Sequence, residues 1–114
     1  MTARVLPFAA VVLASLVVLF APASTTPSAL PPGVDKVVHL ALFAALAVTG
    51  RRAGLPAVGL AAGLVVYAAG SEVLQGVLPI GRTPDPLDAV VDIVGLTLGL
   101  VAMRHFAIGR PARR

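Results

Sequence analysis

Residues 70–95 read GSEVLQGVLPIGRTPDPLDAVVDIVG and contain four of the five acidic residues in the chain. Glu72, Asp88 and Asp92 lie within otherwise apolar runs, and Asp85 stands in the turn between two of them. The surroundings are oily: 58% of the 114 residues are hydrophobic and 12% charged, with a mean hydropathy of +0.97. Apolar residues come in long runs rather than with a period of two or 3.6, which points to membrane-spanning helices and away from a soluble domain. A carboxylate inside such a run is expensive, so these acids mark a candidate functional cluster.

Working outward, the two runs that flank the turn are Leu55–Leu78 and Leu87–Met103. Two more lie upstream, at Val5–Pro22 and Asp35–Gly50. Eighteen residues at about 1.5 Å each span roughly 27 Å, close to the bilayer core. Pro56 suits the first turn of the third helix. In the fourth, Asp85 suits the N-cap, Pro86 the first helical position and Asp88 the third. The Pro/Ser/Thr-rich stretch ASTTPSALPPG, residues 23–33, reads as a loop. A competing reading of the first run is a signal peptide cleaved after Ala23, with APA as its A-x-A site.

Arg and Lys set the orientation. Arg4, Arg51, Arg52, Arg104, Arg110, Arg113 and Arg114 fall at one side of the four runs, and Lys36 and Arg82 at the other. The expected architecture is an all-α membrane protein, a bundle of four transmembrane helices with both termini cytoplasmic, multi-pass in a bacterial plasma membrane. Residues 1–34 form the first helix and an outer loop, 35–103 a three-helix region and 104–114 a basic cytoplasmic tail. The pI near 11.2 fits contact with anionic lipid, since no basic stripe interleaved with aromatics indicates nucleic acid.

This topology brings Asp35, Lys36, His39, Glu72, Gln75, Arg82, Asp85, Asp88 and Asp92 to the outer half of the membrane. Asp35 and His39 share a helix face, where the carboxylate can orient the imidazole. Arg82 is expected to pair with Glu72 or Asp88, or to hold a phosphate or carboxylate bidentately. Asp88 and Asp92 also share a face, and two carboxylates so close imply Lys36, Arg82, a metal ion or a shared proton. Gly59–Gly63 and Gly95–Gly99 are both G-x-x-x-G, read as helix packing. Cys is absent, which rules out thiolate metal sites and disulfides. No Walker loop, dinucleotide fingerprint, G-x-S-x-G or H-E-x-x-H appears.

The blocks DKVVHLALFAALA (35–47) and YAAGSEVLQGVLPIGRTPDPLDAVVDIVGLTLG (67–99) resemble the VanZ-like family of small bacterial membrane proteins. That family's pattern runs D-K-x-x-H, E-x-x-Q, then R-x-x-D-x-x-D-x-x-x-N followed by Gly. The matching residues are Asp35, Lys36 and His39; Glu72 and Gln75; Arg82, Asp85 and Asp88; and Gly95. Asp92 departs from the pattern, standing where the family has Asn. The resemblance covers residues 35 to about 102 and implies a cell-envelope role, linked through the family's namesake to glycopeptide (teicoplanin) tolerance.

The leading expectation is binding of an anionic, envelope-derived or lipid-linked ligand, such as a lipid-linked cell-wall precursor. Lys36, Gln75, Arg82, Asp85, Asp88 and Asp92 are the ligand-binding candidates. The enzyme alternative uses His39, oriented by Asp35, as general base and Glu72 as proton donor. A third reading is a structural or accessory membrane subunit. No cofactor is firmly implied, although the carboxylates allow a divalent cation held through oxygen.

Overall fold

The computed structural model describes residues 2–25, 31 and 33–108. It is all-α, with four helices: α1 (Thr2–Phe20), α2 (Val34–Arg52), α3 (Ala57–Val77) and α4 (Pro86–Ile108). A single 3-10 turn, Ala23–Thr25, follows α1. The remainder of the 23–33 loop and the tail arginines Arg110, Arg113 and Arg114 lie largely or wholly outside the described residues.

Three helices are long and apolar enough to cross a membrane, through Ala3–Phe20, Ala57–Val77 and Pro86–Phe106. α2 does not qualify by composition, because Asp35 and Lys36 stand at its start and Arg51 and Arg52 at its end. Its position explains how it tolerates this. α2 packs most extensively on α4, then on α1 and α3, while α1 and α4 do not meet. A central helix is shielded by its neighbours and needs less hydrophobicity of its own.

The buried stripes reveal the layering. Along α3 the buried residues are Leu60, Leu64, Ala68, Ser71, Glu72 and Gln75, at helical spacing. The same stripe is apolar over its first two turns and polar over its last. α2 mirrors it, with buried His39 followed by Phe43, Leu46, Ala47 and Gly50. The interior beside Leu60 is therefore an apolar core of Phe43, Leu46, Leu60 and Leu64, which Leu19 and Leu96 extend toward the polar layer. That layer fills the other end. Ser15, Tyr67 and Phe43 mark the boundary: the Tyr67 hydroxyl donates to Ser15 Oγ (2.8 Å), which donates to the Val12 carbonyl (2.7 Å). The Phe43 and Tyr67 rings sit 5.6 Å apart.

Glycine sets the closest approach. A Cβ at Gly95 would fall on the Leu40 carbonyl of α2, and one at Gly99 would lie 2.6 Å from the Ala44 oxygen. The Gly95–Gly99 pair thus lets α4 and α2 meet backbone to backbone. The Gly59–Gly63 pair behaves differently. A Cβ at Gly63 meets nothing within 4 Å, so the packing role read for that pair is not realised within the chain.

Boundaries shift modestly from the sequence reading. Pro56 is the N-cap of α3 (φ −67°, ψ 143°) rather than a residue of its first turn. α4 runs past Met103 to Ile108, so Arg104 and His105 are helical and the tail begins later than expected. Asp85 caps α4: its Oδ1 accepts from the Leu87 N–H (3.0 Å) and its carbonyl from the Asp88 N–H (2.9 Å). α1 is no separate unit, since it contributes fully buried Ser15 and Leu19 to the bundle interior.

Candidate functional site

The polar layer gathers side chains from α2, α3, α4 and the 78–85 connection. His39 is its centre. The ring is 2% exposed, and its Nδ1 lies 2.7 Å from Oδ1 of the fully buried Asp92. An ionised Asp92 carboxylate only accepts, so Nδ1–H is the donor in this pair. Nε2 faces Asp88 Oδ2 at 3.7 Å and Asp35 Oδ1 at 3.8 Å, too far for a hydrogen bond. The partner that orients the imidazole is therefore Asp92 from α4, not Asp35 from the next turn of α2. Asp35 points outward, with 63% of its side chain exposed.

Lys36 answers the question of the paired acids. Its Nζ donates to Asp85 Oδ2 (2.8 Å) and to Asp88 Oδ1 (2.6 Å), tying α2 to the start of α4. Asp85 lies in the connection before α4. The Lys36 hydrogen bond, helped by the Leu87 N–H, holds its carboxyl below the ordinary 3.8. Glu72 accepts from the Asp85 N–H through Oε2 (2.8 Å).

Arg82 is placed otherwise than expected. It pairs with neither Glu72 nor Asp88. Nε donates to the Ala21 carbonyl (2.7 Å) and Nη2 to the Val18 carbonyl (3.1 Å). Gln75 Nε2 donates to Leu19 O (2.8 Å). These carbonyls end α1 and have no partner within it, and a cation is favourable at that helix terminus. The Ala23 N–H adds a bond to Ile80 O (2.9 Å). Gln75 and Arg82 thus clasp α1, a role that sequence reading missed because backbone carbonyls carry no side-chain signature. Gly81, at φ +74°, gives the turn that aims Arg82 back toward α1.

Among the described residues, two buried oxygens have no hydrogen-bond partner, Glu72 Oε1 and Asp92 Oδ2. Buried carboxylate oxygens are normally paired, so these call for a proton or a cation. His39, Glu72 and Asp92 bring donor atoms within 4.8 Å of one another, and so do Asp35, His39 and Asp88. Asp35 and Asp88 of the second group, but not His39, line a pocket of about 250 Å³ together with Gln75, Gly81, Arg82 and Thr83. At the far end of the bundle Arg4, Arg51 and Arg52 line a recess of their own, beside Met103.

The site thus joins every ligand-binding candidate, but in a different order from the expected one. Both cations are engaged, Lys36 by carboxylates and Arg82 by carbonyls. The unfilled capacity lies with His39 Nε2 and the carboxylate oxygens around it, and with Arg82 Nη1. Set beside family models, curated proteins and solved structures, the chain matches none of them.

Proposed function

We propose that the chain is a VanZ-like protein of the bacterial plasma membrane that binds the anionic head of an envelope-derived or lipid-linked ligand in the Arg82 pocket. It crosses the bilayer four times with both termini cytoplasmic, and the pocket opens on the outer side. The separation of charge supports this orientation. Arg4, Arg51 and Arg52 share one end, and the polar pocket occupies the other.

The observation that carries the ligand reading is Arg82 in the pocket wall beside Gln75. Nε and Nη2 are tied to α1, and Nη1 makes no hydrogen bond among the described residues. A pre-oriented guanidinium at a membrane surface suits a phosphate or carboxylate. Lys36 is the lesser contributor, because two carboxylates already hold it. The VanZ-like resemblance connects such a role with glycopeptide tolerance of the teicoplanin kind.

The test compares a polyprenyl phosphate with the matching neutral polyprenol on the purified protein in lipid nanodiscs, by native mass spectrometry. The expected result is selective retention of the phosphate, lost in Arg82→Gln. Equal retention of both lipids removes the anionic-ligand reading.

One observation favours an enzymatic second reading. The Asp92–His39 pair, with Nε2 turned toward Asp35 and Asp88, is the arrangement a general base requires. Loss of turnover in His39→Gln with phosphate binding intact separates catalysis from binding.

A further inference from the structure

The geometry points to a divalent transition-metal site at the pocket floor, with His39 Nε2, Asp88 Oδ2 and Asp35 Oδ1 as its protein ligands. It deepens the ligand reading above, because an anion entering a pocket rich in carboxylates is best anchored through a bridging cation. The metal can be tested alone, so the two readings stand or fall separately.

The first argument is the division of labour on the imidazole. Asp92 holds Nδ1–H at 2.7 Å, which fixes the ring and leaves Nε2 aimed between two carboxylates, where the neutral imidazole offers its lone pair. A carboxylate behind a histidine that offers its other nitrogen is the usual support for a metal-bound imidazole. His39 is 2% exposed, and Nε2 makes no hydrogen bond among the described residues. The ring nitrogen facing the two acids has only their carboxylates, at 3.7 and 3.8 Å, as neighbours of opposite charge, a spacing that leaves room for an ion between them.

The second argument is spacing. Nε2 lies 3.7 Å from Asp88 Oδ2 and 3.8 Å from Asp35 Oδ1. Ligands at 2.0–2.2 Å around a tetrahedral ion sit roughly 3.4 Å apart. A contraction of a few tenths brings both Nε2 edges to that spacing; the Asp35–Asp88 edge lies within 4.8 Å, and exposed Asp35 is free to move inward. Lys36 leaves the needed atom available, since it holds Oδ1 of Asp88 and not Oδ2.

The third argument is charge. All five acidic residues of the chain converge here, against Lys36 and Arg82. Behind His39, Glu72 Oε1 and Asp92 Oδ2 are buried and unpartnered. That field favours a cation. One imidazole with two carboxylates suits zinc or manganese better than the harder magnesium or calcium, and positions turned to the pocket remain open for water or an anion. The inner group of His39, Glu72 and Asp92 is the competing location. Glu72 and Asp92 are both buried, neither lines the pocket, and Asp92 already holds Nδ1.

The experiment is Zn2+ titration of the EDTA-treated, dialysed protein in detergent by isothermal calorimetry, with Co2+ absorption as a second readout on the unaltered chain. The expected result is one Zn2+ per chain, with Co2+ giving d–d bands of a nitrogen- and oxygen-ligated ion. Asp88→Asn and His39→Gln should weaken Zn2+ at least 50-fold, Glu72→Gln should weaken it less than either because it removes only a nearby charge, and His105→Gln should leave it unchanged. Asp92→Asn, acting through the ring, should weaken it about 10-fold with the Co2+ bands retained. Absence of stoichiometric Zn2+ uptake together with absence of Co2+ bands overturns the inference. So does full Zn2+ binding in His39→Gln. Loss of binding in Glu72→Gln with retention in Asp35→Asn moves the ion inward and overturns the assignment made here. A protein that takes Zn2+ but does not prefer polyprenyl phosphate keeps this site and loses the anionic-ligand reading.

Discussion

Asp92 decides what His39 can do. The atom that holds Nδ1 is one that Asp and Asn both provide. Asp92→Asn should therefore keep the fold, with stability within about 1 kcal/mol, because an amide oxygen still accepts and the amide nitrogen replaces the orphan Oδ2. Asp92→Leu leaves a buried N–H unpaired and should cost about 1–3 kcal/mol. Thermal unfolding in detergent distinguishes the two. Asp85 gives a pH prediction. Its carboxyl is held below the ordinary 3.8 by Lys36. A depressed carboxyl contributes fully above the unfolded value, and the contribution fades as pH falls through the lower folded value. Acid unfolding followed below pH 3.8 should accordingly be shallower in Asp85→Asn than in the parent chain. The acids themselves were legible in the sequence, as charges in an oily run. Their partners were not: Asp35 and His39 are neighbours by helical spacing, but rotation of α4 against α2 brings Asp92 nearer.

At the scale of helices, the two G-x-x-x-G pairs look alike in sequence and behave oppositely in the bundle. Gly95→Ala sets a methyl on the Leu40 carbonyl and should destabilise by about 1–3 kcal/mol, since backbone cannot yield as a side chain can. Gly63→Ala meets open space and should be neutral or stabilising by up to about 1 kcal/mol through helix propensity. Parallel unfolding curves of the two variants test the assignment. α1 gives the companion case. Removal of residues 2–23 takes away the carbonyls that Gln75 and Arg82 hold, and the truncated chain should unfold at a lower temperature and lose the pocket. Retention of Zn2+ binding and of the parent unfolding temperature would show α1 to be dispensable.

The whole molecule is built inside out. Seven of the fifteen buried side chains identified as core or buried polar are polar or charged: Ser15, His39, Ser71, Glu72, Gln75, Asp88 and Asp92. Outward-facing positions include Val58 at 84% exposed and Val66 at 71%. Polar residues inside and valines outside are the arrangement that a hydrocarbon solvent selects. A cysteine-free chain allows a direct check of its orientation. Single replacements Asp35→Cys, Arg82→Cys and Arg51→Cys are treated with an impermeant thiol reagent on intact cells. Labelling at Asp35→Cys and Arg82→Cys without Arg51→Cys is expected, and the reverse pattern inverts the topology. The chain's seven basic residues on one side of the spans predict this outcome.

The chain's own pattern establishes a helical protein with its polar residues gathered at one end; of the four spans it suggests, three are long and apolar enough to cross a membrane. Each of these follows from where apolar runs begin and stop, a property of the chain alone. Only the tertiary structure decided which partner each polar group takes. Arg82 turned from carboxylates to the end of α1, Lys36 was claimed by Asp85 and Asp88, and His39 was oriented by Asp92. Those choices depend on the rotation and depth of packed helices, and on backbone carbonyls present at every position. The low hydropathy of α2 has the same origin: a helix surrounded by the other three is excused from facing lipid, and only the assembled bundle determines which helix that is.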